Sequence, residues 1–167
     1  REMMEQAMSE IQTILVPVDV SRESKAAAER ALTIARETGS RVRLLHALSF
    51  PASAIELGVR HELYDEFRGS ERARFARFCE DLDGQGVELI SSFVERDPAE
   101  AIDEAARESD THLIVMGSHN RRGLERFVMG SVAEQMLESS RAALLVVRED
   151  TTAAREPIRS ILLTTDF

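Results

Sequence analysis

The chain has 167 residues, 43% of them hydrophobic and 31% charged, which suits one globular domain with a real core and leaves too little for two complete ones. Its formal charge of −9 argues against nucleic acid as a partner unless a local basic patch overrides it. A single cysteine, Cys79, excludes an internal disulfide and any multi-cysteine metal cluster, which makes a reducing cytoplasm the expected location.

Other compositional features narrow the class without naming an activity. No apolar run approaches the ~18 residues of a membrane span, and Arg1-Glu2-Met3-Met4-Glu5 lacks the basic-then-apolar order of a signal peptide. Of the 21 basic residues only Lys25 is a lysine, a bias that either a GC-rich genome or a salt-adapted proteome produces. Trp is absent and Tyr64 is the sole tyrosine, so a base-stacking surface would have to be built from phenylalanines with core duties.

In chain order, residues 1–10 are polar with no stable period and read as a leader. Ile11 to Val18 is a β-branched run of strand length that stops at Asp19-Val20-Ser21, where the Ser21 hydroxyl can cap a helix. Ala27, Ala28, Ala31, Leu32, Ile34 and Ala35 follow at helical spacing, with Gly39 as the stop. Arg41 to Ala47 is the second strand. A crossover opens at Pro51; Leu63, Phe67, Phe75, Phe78 and Leu82 mark one stripe of a helix ending at Gly84-Gln85-Gly86. Val87 to Val94 is the third strand. Asp97-Pro98-Ala99-Glu100 starts a helix, with an Asp cap, Pro in the first position and Glu at the capping-box position. Ile102, Ala105 and Ala106 form its buried face. Thr111 to Met116 is the fourth strand, Gly117 to Met129 a loop, Gly130-Ser131 the start of a helix, and Ala142 to Val147 the fifth strand.

Short apolar strands separated by helices call for parallel pairing, because each crossover returns the chain to the same edge. Their near-continuous apolar character fits a sheet covered on both faces, so the expected fold is doubly wound α/β. One further pattern lies beyond it. Residues 158–167 echo residues 11–20, with Ile11/Ile158, Ile14/Ile161, Leu15/Leu162 and Asp19/Asp166 identical. The expected organisation is a leader at 1–10, a domain at 11–148, a polar linker at 149–157 and the first strand of a second repeat at 158–167. The competing reading is that any buried strand ending in Asp resembles another.

Ligands of an open parallel sheet bind beyond the carboxyl ends of its strands, where the winding reverses. Strand 1 ends there in Pro17-Val18-Asp19-Val20-Ser21, and strand 4 in Gly117-Ser118-His119-Asn120-Arg121-Arg122-Gly123, with Gly130-Ser131 opening a helix seven residues after Gly123. Glycines let backbone approach an anion, a helix start supplies free N–H groups, Ser118 and Ser131 add hydroxyls, and Arg121, Arg122 and Arg126 add positive charge. Ordinary turn chemistry also puts glycine after a strand and before a helix, so spacing alone leaves phosphate binding open. A Walker loop is absent, because no Lys follows a suitable glycine. The sole Gly-x-Gly, Gly84 and Gly86, runs from helix to strand and fails as a dinucleotide fingerprint.

Gly117-x2-Asn120-x9-Gly130-Ser131 resembles the universal stress protein signature, Gly-x2-Gly-x9-Gly-Ser/Thr. Val115 to His119, Gly130 to Glu134 and Ile14 to Asp19 also match the family's habits, and the likeness covers roughly residues 11–148. The resemblance implies a five-stranded parallel sheet of order 3-2-1-4-5 with helices on both faces, a Rossmann-like adenine nucleotide alpha hydrolase-like fold, and ATP as ligand in one subgroup. Carried over by position, Val18 and Asp19 sit by the nucleoside, Ala47 lines the adenine pocket and Met116 closes its floor. Gly117, Asn120, Gly130 and Ser131 hold ribose and phosphates. With the residues beside them, Ser118, Arg122, Gly123 and Val132, these make up the expected cofactor site. Mg²⁺ would arrive with the nucleotide, through phosphate oxygens and Asp19. Asn120 stands where the family has glycine; Asn tolerates positive φ, although its side chain competes with phosphate for space. Ala142-Ala143 replaces the family's usual Cys-Pro before strand 5.

The remaining candidates read as structural. His46 and His112 sit at strand ends, His119 in a loop, and His61-Glu62 lacks a second His four residues on. Cys79 beside Phe78 reads as an inert buried thiol, and Glu95-Arg96-Asp97 as a solvated helix entrance. Ser118 has no base-and-orienter set, and no nucleophile elbow exists. The expectation is therefore a non-enzymatic regulatory module, at most a slow ATPase, that binds ATP and signals as a homodimer, through an intramolecular tandem pair or to a protein partner. The rival is an interaction domain of the same fold with an empty cleft.

Overall fold

A computed structural model describes residues 11–49, 61–118 and 130–148. The expected leader, linker and second-repeat strand fall outside the described residues, as do most of the loop after strand 4 and the start of the long crossover. The described elements are β1 (Thr13–Pro17), α1 (Arg22–Thr38), β2 (Arg41–Ala47), α2 (His61–Glu80), β3 (Leu89–Val94), α3 (Pro98–Glu108), β4 (Leu113–Gly117), α4 (Ser131–Ser139) and β5 (Ala143–Val147). All strand pairs are parallel and the sheet order is β3-β2-β1-β4-β5, as the sequence leads one to expect.

The strand register explains the near-continuous apolar runs. Successive residues point to opposite faces, so Ile14, Val16 and Val18 enter one core layer while Leu15 enters the other. The first layer is closed by α1 and the second half of α2, through Ala27, Ala28, Ala31, Leu32, Phe75 and Phe78. The second is closed by α3 and α4, through Ala101, Ile102, Ala105, Ala133 and Met136. Ala27, Ala28 and Ala31 are completely buried, and their small side chains let α1 lie close to the central strands.

Helix ends follow local chemistry. Ser21 caps α1, its Oγ accepting from the Ser24 N–H at 3.1 Å. Gly39 ends the helix in the left-handed region, φ 73°, and donates to the Ala35 carbonyl. Asp97 caps α3 by accepting from the Ala99 and Glu100 N–H groups at 2.9 and 3.2 Å, with Pro98 next in line.

The long crossover helix departs from its expected stripe. Phe75, Phe78 and Leu82 are buried, whereas Leu63 and Phe67 are 56% and 44% exposed. Helical spacing puts all of them on related positions, but only the second half of α2 lies over the core. The helix also stops at Glu80, before the glycines, and Leu82 belongs to the turn that leads to Gly86 at φ 77°. Strands 1, 3 and 5 are shorter than their apolar runs, because a strand extends only as far as its backbone pairs with a neighbouring strand; β4 begins later and runs one residue further, to Gly117. Among the described residues, no helix is long and apolar enough to cross a membrane.

Candidate functional site

The winding direction reverses between β1 and β4, and a cavity of about 560 Å³ opens at the carboxyl ends of those strands. That volume lies within the range of small-molecule sites, roughly 300–1,000 Å³. Val18, Asp19, Ala47, Met116, Gly117, Gly130, Ser131 and Val132, all expected from sequence, line it. Asn120, Arg122 and Gly123 lie outside the described residues. Ser118 lies just past β4, is buried, donates its N–H to the Val147 carbonyl at 2.8 Å, and is not among the residues lining the cavity.

Half of the lining lies outside the expected cofactor site. Pro17, Leu45, Ile102 and Ala133 supply apolar wall, Ser21, Glu23 and Ser24 come from the start of α1, and Pro98 from the start of α3. The signal for the last four was present in the caps. In a parallel α/β sheet every helix that follows a strand begins at the ligand edge, so each capping motif marks a wall of the same cleft.

Three helix starts therefore converge on the cavity: α1, α3 and α4. They are not equivalent. Ser21 satisfies an amide of α1 and Asp97 two of α3, whereas the N-cap of α4 is Gly130, which makes no side-chain capping bond. The first-turn amides of α4 thus lack the cap that the other two helices bring for themselves, and they sit at the positive end of a helix dipole. Gly130 itself adopts φ −69°, ψ 152°, open to any residue, so the backbone does not require glycine there.

The β1–α1 turn is held by its own polar groups. Val18 donates to the Leu45 carbonyl at 2.9 Å. Asp19 Oδ1 accepts from the Ser21 N–H at 3.1 Å and the Ser21 hydroxyl at 2.5 Å. Between them Val20 sits at φ 62°, a left-handed conformation that β-branched residues rarely adopt. The charged residues among the described lining are Asp19 and Glu23, both acidic. No group of three or more His, Cys, Asp or Glu that could hold a metal occurs among the described residues.

Away from the cavity, His46 is buried in the α1/α2 layer, and Cys79 is half-buried, its thiol pushed up by desolvation and partly offset by a hydrogen bond with Ser91. Asp97 proves to be a cap, and Glu95 accepts from the Tyr64 hydroxyl.

Residues 10–148 match the universal stress protein family. The chain belongs to that family. It is 30% identical over 138 residues to universal stress protein MJ0531 of Methanocaldococcus jannaschii, covering 81% of each chain. Among solved structures it is similar to MJ0577 of the same organism, with a TM-score of 0.69, 24% identity, and coverage of 83% of this chain and 96% of that one. A universal stress protein in complex with cAMP is also similar, with a TM-score of 0.57, 23% identity, and 83% and 98% of the two chains covered. These likenesses agree with the observed strand order and helix placement.

Proposed function

We propose that the chain is a nucleotide-binding regulatory module of the universal stress protein family, taking ATP with Mg²⁺ into the cavity between β1 and β4. The observation that carries this reading is the contrast at the helix starts: α1 and α3 are capped by their own side chains, while α4, entered through Gly130, has no side-chain cap among the described residues and begins at the wall of the same cavity. Support for an adenine nucleotide comes from the family neighbour that holds cAMP. In this reading Val18, Ala47 and Met116 surround the base, and Gly130, Ser131 and Val132 receive phosphates. Asp19 shares the cation, and Gly117, Ser118, Asn120, Arg122 and Gly123 shape the loop between. Occupancy biases a surface read by a second copy, along the β5 edge, or by a protein partner in the cytoplasm; the strand at 158–167 would open a tandem copy.

The family resemblance brings no hydrolytic residue, so binding rather than turnover is the proposed activity. The rival, an interaction domain with an empty cleft, is favoured by one observation: the charged residues of the described lining are both acidic. One experiment separates the two. Thermal unfolding with millimolar ATP and Mg²⁺, AMP or cAMP should raise the midpoint by binding linkage. An unchanged midpoint with every nucleotide, together with no nucleotide released from purified protein in mass spectrometry, would leave the empty-cleft reading standing.

A further inference from the structure

Behind the cavity, in the α1/α2 layer of the core, His46 makes a bond that neither packing nor the sequence pattern requires. Its side chain is 6% exposed and stacks on Phe75 at 5.4 Å between ring centroids, with Phe93 at 5.3 Å. Nδ1 lies 2.7 Å from the Val18 carbonyl oxygen. A carbonyl only accepts, so Nδ1 carries the proton and donates. Among the described residues Nε2 is buried with no hydrogen-bond partner and faces Glu71 Oε2 at 3.8 Å, while the other oxygen of Glu71 accepts from Arg74 at 2.5 Å. An orphaned ring nitrogen among phenylalanines is a costly arrangement that a third phenylalanine would avoid.

The compensating feature is the other end of the ring. Val18 is where β1 becomes the turn: its N–H is bound to Leu45, its carbonyl to His46, and the next residues are Asp19, strained Val20 and the cap Ser21. A valine holds a left-handed conformation only where its surroundings over-determine it. We infer that His46 is a positioning residue, whose Nδ1–H grips the Val18 carbonyl from the side opposite the cavity and holds the Val18–Ser21 turn in ligand-receiving shape. The ligand's identity rests on the nucleotide reading above; the hold on the turn is a property of the free protein.

The test compares His46→Phe, His46→Asn and His46→Gln. Phenylalanine keeps the ring stack and loses the donor. The short amide of asparagine occupies the Nδ1 place, whereas that of glutamine reaches toward Nε2 and Glu71. Amide hydrogen exchange is read at Ser21 and Ser24 in the ligand-free chain, and ATP affinity is read with Mg²⁺ present. His46→Phe should speed exchange at both amides about tenfold and weaken ATP about tenfold, the size expected for one lost hydrogen bond at a strained turn. Its melting point should stay near that of the parent, and His46→Asn should recover most of both effects. Should His46→Phe not fold, the Asn and Gln variants still separate, with fast exchange in Gln alone. Equal exchange in Asn and Gln, or parental exchange in Phe, overturns the inference. A parent chain that binds no ATP but shows the expected exchange pattern sinks the nucleotide reading and leaves the positioning role intact.

Discussion

A β-carbon on Gly117 would stand 2.6 Å from the carbonyl carbon of Glu23 and 2.7 Å from its oxygen. The end of β4 and the first turn of α1 are thus in backbone contact, and any side chain at 117 forces them apart. This gives Gly117 a packing reason beside its place in the cavity wall. Gly117→Ala should lower unfolding stability by about 1–3 kcal/mol, the usual cost of overpacking a tight contact. Urea denaturation checks it; a parental midpoint would show that α1 can move aside freely.

Gly130 is the opposite case. Its φ and ψ suit any residue, so Gly130→Val should fold with a loss of no more than roughly 1 kcal/mol from the poorer N-cap. What it should lose is the nucleotide effect, because a branched side chain would crowd the first-turn amides of α4. Melting curves with and without ATP decide the matter, and an undiminished ATP shift in the variant would rule out those amides as the phosphate cradle.

Asp97 is expected to act on stability alone. It holds two amides of α3, and Asp97→Ala should cost about 0.5–2 kcal/mol. Asp97→Asn or Asp97→Ser should retain most of that, since either can accept the same bonds. Chemical denaturation of the three variants is the check; equal losses in all of them would assign the effect to charge instead.

Tyr64 and Glu95 form an exposed titrating pair. The Tyr64 hydroxyl donates to Glu95 Oε2 at 2.5 Å, and Arg68 lies 3.3 Å from the other oxygen. The tyrosine hydrogen bond, then Arg68, holds the Glu95 carboxyl below the usual range, while the same bond raises Tyr64. A depressed carboxyl contributes stability above its unfolded value, about 4.3, and loses it as pH falls through the lower folded value. A raised phenol contributes below its unfolded value, about 10, and loses it as pH rises through the higher folded one. Tyr64→Phe should therefore move the Glu95 titration upward in an NMR pH series. No movement would mean that the bond does not persist in solution.

Much of the framework was legible because it rests on local rules. Ser21, Gly39 and Asp97-Pro98 mark helix ends through chemistry contained within a few residues, and they occupy those roles in the fold. The second strand, Arg41–Ala47, coincides with its apolar run. The α2 stripe departs from the fold at Leu63 and Phe67, since periodicity tells which residues share a helix face but not where a neighbour ends. At the site, strand-end residues such as Val18 and Met116 could be found from order and motif. Leu45, Ile102 and Glu23 could not, because their places depend on how close one helix lies to the sheet.

By itself the sequence determined the five parallel strands, their order through family likeness, the helix caps and the edge at which a ligand would enter. Those follow from periodicity, capping and the short reach of each crossover. Only the tertiary structure decided that three helix starts meet at one cavity with a single one lacking a side-chain cap. It alone also placed Gly117 against Glu23 and His46 beneath Val18. Such contacts join residues 28 to 94 positions apart, and their distances are set by how the layers pack, a quantity that no local stretch of chain encodes.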